Sequence, residues 1–114
     1  MAISAVLTGT LVLSEDGTTL ITKTISETVI TLNDYTRRRR LSVAAGETEV
    51  VEIPATSAQV LAVFLSSGTA NLTVGDASTI PLAGYLLMDS IGFTSLAITA
   101  ITNCEAEVII GGTD

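Results

Sequence analysis

The stretch Ile3-Ser-Ala-Val-Leu-Thr-Gly-Thr-Leu-Val-Leu-Ser-Glu-Asp-Gly17 sets the reading of the whole chain. Ile3, Ala5, Leu7, Gly9, Leu11 and Leu13 alternate with Ser4, Val6, Thr8, Thr10, Val12 and Ser14. A period of two with one apolar face is the pattern of a strand, because successive side chains point to opposite sides of a sheet. Asp16-Gly17 is a strong hairpin dipeptide, since both residues tolerate the positive φ that a tight turn needs. Thr18 to Leu32 is rich in Thr, Ile and Val, which are stiff at χ1 and suit strands. A hairpin is predicted here, with Ser26-Glu27 as the place where its regularity would break.

The same signals recur outward from this hairpin. Asn33-Asp34 marks a corner and Tyr35 to Ala45 reads as a strand. Gly46 turns the chain, Thr48 to Ile53 returns it, and Pro54 ends that strand by removing a ladder donor. Val60 to Leu65 is apolar throughout and is expected to be central and buried on both faces. Ala70 to Val74 alternates again, Gly75-Asp76 turns, and Thr79 to Leu82 is interrupted by Pro81, as suits an edge. Tyr85 to Met88, a long Phe93 to Ile101 and Glu105 to Ile110 complete the series. Ala55 to Ala62 is the one window where a turn of helix competes. Nine or ten short strands with regular turn signals predict an all-β fold with little or no helix. The expected form is one antiparallel β-sandwich spanning residues 1–114, jelly-roll-like.

The chain has 114 residues, a net charge of -7 and a hydrophobic fraction of 47%, enough for one domain with a true core. Aromatic residues are only 4% and Trp is absent, so the core must be aliphatic. No apolar run approaches the roughly 18 residues that would span a bilayer as a helix, and no membrane partner is expected. The N-terminus lacks a basic segment followed by an apolar block, so no secretory signal is read.

Missing residues narrow the chemistry. There is no His and only one Cys, Cys104, so Ser-His-Asp and Cys-His catalysis are excluded. The same absence removes nearly all transition-metal sites. Cys104 cannot form an intramolecular disulfide and reads as a half-buried structural thiol. No phosphate-cradling glycine motif is present, and Gly111-Gly112 has no helix after it. The carboxylates Glu15-Asp16, Asp34 and Asp76 fall in turn contexts, where Asp serves local hydrogen bonding. A carboxylate-based hydrolase stays a formal alternative without positive support, and no cofactor is expected.

Arg37, Arg38, Arg39 and Arg40 are four of the five basic residues, with Lys23 the other. Three readings are open. The guanidiniums could pair across a hairpin with Glu47, Glu49 and Glu52. They could dock a protein partner, with Tyr35 beside them. They could bind nucleic acid, but a pI near 4.2 opposes a polyanion and Tyr35 is the sole neighbouring aromatic. Nucleic acid is therefore not an expected partner. Strict alternation would point adjacent arginines to opposite faces. The segment should then either overhang as an arm or bury one pair against carboxylates, because an unpaired buried Arg is too costly. An intersubunit contact is the favoured reading.

Residues 60–110 carry a resemblance. Val60-Leu-Ala-Val-Phe-Leu-Ser-Ser67 is followed by Asn71-Leu-Thr-Val-Gly75, Ser78-Thr-Ile-Pro-Leu82, Gly84-Tyr-Leu-Leu87, Phe93-Thr-Ser-Leu-Ala-Ile98 and a closing Val108-Ile-Ile-Gly-Gly112. This series resembles the small β-sandwich virion proteins of tailed bacteriophages. The resemblance implies a non-enzymatic structural subunit, with capsid decoration or cement on the head shell as the first role. The alternative is a tail, fibre or head-tail accessory acting as a receptor- or carbohydrate-binding module. It also implies virion localisation after synthesis in the host cytoplasm, major capsid or other virion proteins as partners, and a homo-oligomer for which a trimer is one fitting copy number. Val6, Val12, Ile21, Ile25, Val29 and Ile30 add more apolar surface than one small sheet face needs. They are expected either to cover the second sheet of the sandwich or to form an interface.

Overall fold

The alternating apolar pattern folds into ten strands and no helix in the computed structural model, which describes residues 3–54, 56–75 and 79–114. The strands are β1 (Ile3–Glu15), β2 (Thr18–Leu32), β3 (Asp34–Val43), β4 (Thr48–Val51), β5 (Ser57–Ser67), β6 (Ala70–Val74), β7 (Thr79–Leu82), β8 (Tyr85–Phe93), β9 (Leu96–Ala100) and β10 (Cys104–Thr113). Eight of them build two four-stranded antiparallel sheets, ordered β3-β10-β5-β8 and β4-β9-β6-β7. Consecutive strands mostly cross between sheets, and the first sandwich strand pairs with the last. This is jelly-roll order.

The inner faces hold the aliphatic core. Leu61, Val63, Val108 and Ile110 of one sheet meet Leu72, Leu96 and Ile98 of the other, all at most 1% exposed. No polar or charged residue is buried among the described residues, so no desolvated charge burdens the core. Phe93 is the only aromatic in it. Pro81 sits in β7, an edge strand, as a residue without a ladder donor should.

Several boundaries differ from the sequence reading. Phe93 to Ile101 is not one strand: β8 runs through to Phe93, and β9 begins at Leu96 in the opposite sheet. The helical option fails because β5 occupies Ser57–Ser67, while Ala55 lies outside the described residues, as does Asp76 of the Gly75-Asp76 turn. β5 is central, but of the Val60 to Leu65 run only Val60 to Val63 are buried, and Phe64 on the outer side is exposed.

The larger difference is the first hairpin. β1 and β2 form a separate two-stranded ribbon and do not join either sheet. Asp16 and Gly17 close it with φ of 50° and 81°, the doubly positive geometry that makes Asp-Gly the favoured dipeptide. Leu7 pairs with Thr28 and Gly9 with Ile25, so one residue of β1 faces two of β2. The break expected near Ser26-Glu27 is thus a β-bulge, and the strand continues through it.

Candidate interaction surface

The outer face of the β3-β10-β5-β8 sheet and the ribbon that springs from it carry the exposed chemistry. Register places three rows across this face. Tyr35 opposes Gly111, which opposes Val60; Arg37 opposes Ile109, then Ala62, then Leu87; Glu107 opposes Phe64, then Tyr85. Phe64 and Tyr85 stack with ring centroids 6.3 Å apart and an interplanar angle of 29°. Both rings are exposed, as is Leu87.

The ribbon begins on the first of these rows. Leu32 lies over Gly111, where a Cβ would overlap Leu32 Cδ1 and push that side chain aside. Asn33 fixes the junction: its N–H donates to the Gly112 carbonyl, and its side-chain oxygen accepts from the Asp114 N–H at 2.9 Å. Ile3, Ala5, Leu32, Tyr35, Val60, Ile109 and Gly111 line most of a cleft of about 270 Å³ beneath the ribbon's base. Ile3, Ala5 and Leu7, on the odd-numbered face of β1, are half-buried, the first two in this cleft. Beyond Leu7 every described side chain of β1 is exposed, including Leu11, Val12 and Leu13, and so are Leu20 and Ile21 on β2. Val6, Val12 and Ile21 therefore do not cover a second sheet, and Ile30 is half-buried near the base. The side chains of Ile25 and Val29 lie outside the described residues.

The arginine run occupies β3, an edge strand, and does not overhang. Arg38 opposes buried Val108 and Leu41 opposes buried Ala106, so both face inward although three residues apart. A bulge at Arg39-Arg40, opposite Glu107, changes the parity. It leaves Arg37, Arg39 and Arg40 on the solvent side and Arg38 alone turned toward the other sheet. The expected split of two arginines per face is corrected by this bulge.

The predicted partners are corrected too. Arg37 Nε pairs with Glu107 and Arg40 Nε lies 3.8 Å from Glu105 Oε1, both acids on β10. Only Arg38 meets one of the anticipated acids, with Nη1 at 3.5 Å from Glu49 Oε1. Glu47 and Glu52 hold no arginine, because β3 and β4 belong to opposite sheets and never form a hairpin. Arg39 forms no ion pair among the described residues, and Arg40 is 87% exposed. Tyr35 is exposed on the same outer face, at the mouth of the cleft.

Cys104 is buried at the opposite end of β10, at the edge of an open depression lined also by Ser42, Val43, Ala44, Ser67, Asn103 and Glu105. Burial pushes its thiol above the usual range, against a smaller opposing effect from a backbone hydrogen bond with Val43. A protonated, buried thiol is a poor nucleophile. No cluster of metal-ligating side chains occurs among the described residues. Among the described residues no helix is long and apolar enough to cross a membrane.

Sequence reasoning missed Phe64, Leu87 and the Phe64–Tyr85 stack. The signal was hidden because Val60 to Leu65 is uniformly apolar, which gives no cue to where burial of the outer face stops. No protein-family model and no curated protein matches the chain.

Proposed function

We propose that the chain is a non-enzymatic structural subunit of a tailed-bacteriophage virion, acting as a decoration or cement subunit on the head shell. The observation that carries the assembly reading is the ribbon: six of the twelve exposed large hydrophobic residues among the described residues sit on it. A two-stranded ribbon is marginal in water on its own, and large apolar side chains exposed on both its faces need a cover. The virion assignment draws on the resemblance of residues 60–110. Jelly-roll sandwiches occur in capsid and lectin domains alike, and fold by itself does not choose between them. The net charge of -7 suits a coat that must stay dispersed.

Immunogold labelling of purified particles with antibody against this chain tests the proposal. Label over the head shell is the expected result. Absence of label from both intact and disrupted particles overturns it.

One observation favours the second reading, a receptor- or carbohydrate-binding accessory on a tail or fibre. The stacked, exposed Phe64–Tyr85 pair is an apolar platform with a phenol at its edge, a form that sugars use. Label confined to the tail, with glycan binding lost in Tyr85→Ala, would select it.

A further inference from the structure

The ribbon's odd-numbered face is covered at its base and bare at its tip. Ile3 and Ala5 line the cleft against the outer sheet face of their own subunit and Leu7 is half-buried, whereas Leu11 and Leu13, with Ile21 opposite Leu13, continue the same face into solvent. From Thr8 to Glu15 the overhang spans about 24 Å at roughly 3.4 Å per residue. The outer sheet face, four strands wide, measures only about 14 Å across. On that face the second and third rows, Leu87, Phe64 and Tyr85, are left exposed by the chain's own ribbon.

Charge supplies the register. The ribbon's tip carries Glu15 and Asp16, both exposed, with no base nearer than Lys23. The third row of the sheet ends at Arg39 and Arg40, one without an ion pair and the other loosely held at 3.8 Å. Among the arginines these are the two that Glu105, Glu107 and Glu49 leave least engaged, and the remaining base, Lys23, lies on the ribbon itself. The rest of this acidic molecule offers few places that would attract an acidic tip.

We infer that the ribbon of one copy lies on the outer β3-β10-β5-β8 face of the next copy. Leu11, Leu13 and Ile21 rest on Phe64 and Leu87, and Glu15 and Asp16 meet Arg39 and Arg40. The contact is head-to-tail, and such a contact makes a ring when the rotation between copies closes. The occupant is a second copy because both complementary surfaces, apolar and charged, belong to the same polypeptide. The inference rests on the assembly reading above and names the partner of its exposed ribbon.

Light scattering on the purified full chain tests it. The wild-type chain is expected to form one closed oligomer. Leu11→Glu with Leu13→Glu should give monomers with an unchanged circular-dichroism spectrum and melt of the sandwich. Glu15→Arg with Asp16→Arg, and separately Arg39→Glu with Arg40→Glu, should each raise the dissociation constant about tenfold or more. Mixing these two charge-reversed chains, or combining all four changes in one chain, should restore association. A wild-type monomer at all concentrations overturns the inference. So does an oligomer insensitive to Arg39→Glu with Arg40→Glu, which would indicate ribbon-on-ribbon packing. Neither result bears on particle labelling, so failure here is distinguishable from failure of the virion assignment.

Discussion

Arg38 Nη1 and Glu49 Oε1 face each other at 3.5 Å across the rim between the two sheets, one on edge strand β3 and the other on edge strand β4. Both residues occupy inward-facing positions, since Arg38 opposes buried Val108 and Glu49 opposes buried Ile98. Their heads stay in water at the rim, with side chains 39% and 45% exposed. The long stems can cover the sandwich edge while the charges remain solvated.

This pair should contribute little through charge. Exposed ion pairs are worth about 0.2–1 kcal/mol, and the side-chain exposure here argues for the lower half of that range. A double-mutant cycle with Arg38→Ala and Glu49→Ala, read by urea unfolding, should give a coupling below about 0.5 kcal/mol. Arg38→Met, which keeps the stem, should cost less than Arg38→Ala. A coupling of 2 kcal/mol or more, on the order expected of a buried pair, would contradict the assignment.

Leu32 is the main apolar anchor of the ribbon, 6% exposed and seated over Gly111. Truncating a buried Leu to Ala typically costs about 2–5 kcal/mol, and the loss should fall on ribbon docking. In Leu32→Ala, hydrogen exchange should accelerate across residues 3–31, while the central strands β5 and β10 keep their protection. Gly111→Ala should act in the same direction, because the new methyl displaces the Leu32 side chain. Uniform loss of protection through the sandwich would show that ribbon and sandwich unfold as one.

The layered β architecture was legible because alternation, turn dipeptides and Pro81 all pointed the same way. Asp16-Gly17 turned where its sequence required, and Cys104, read as half-buried, is buried. Pairing was not legible. Nothing local in Arg37–Arg40 indicates that their neighbours are Glu105 and Glu107, some 70 residues away, because jelly-roll order brings the last strand beside β3. Nor does alternation in Ile3 to Ser14 reveal that the strand leaves its cover after Leu7. A period of two states which side is apolar and is silent on whether anything lies against it. The bulge at Arg39-Arg40 likewise depends on register with β10, not on local composition.

Cys104 links packing to pH. Its thiol is held above its ordinary pKa in the folded chain, chiefly by burial. A raised thiol pKa means that, once pH exceeds the unfolded value, the unfolded chain binds fewer protons than the folded one. Stability from this group is therefore complete below the unfolded pKa and is lost as pH rises toward the folded value. Urea unfolding at pH 7 and in the alkaline range should show a decline, and Cys104→Ala should flatten it. Alkylation by iodoacetamide at pH 8 should be slow in the native chain and fast in urea. Rapid native alkylation would refute the burial.

Gly68 is where backbone geometry leaves no freedom. Its φ is +77°, and a Cβ there would collide with the backbone carbonyl of Asn103 in the loop before β10. The loop cannot retreat easily, because the Asn103 side-chain oxygen accepts from the Ala45 N–H at 2.8 Å. Thr69 also bonds Thr102, with its N–H 2.9 Å from Oγ1. Gly17, with φ +81°, has open space around it. Gly17→Ala should therefore cost about 1 kcal/mol from the left-handed backbone alone. Gly68→Ala adds a backbone collision and should cost on the order of 3 kcal/mol or more. Thermal unfolding of the two variants separates the effects: a near-equal shift would mean that the β5–β6 turn and the β9–β10 loop yield to each other.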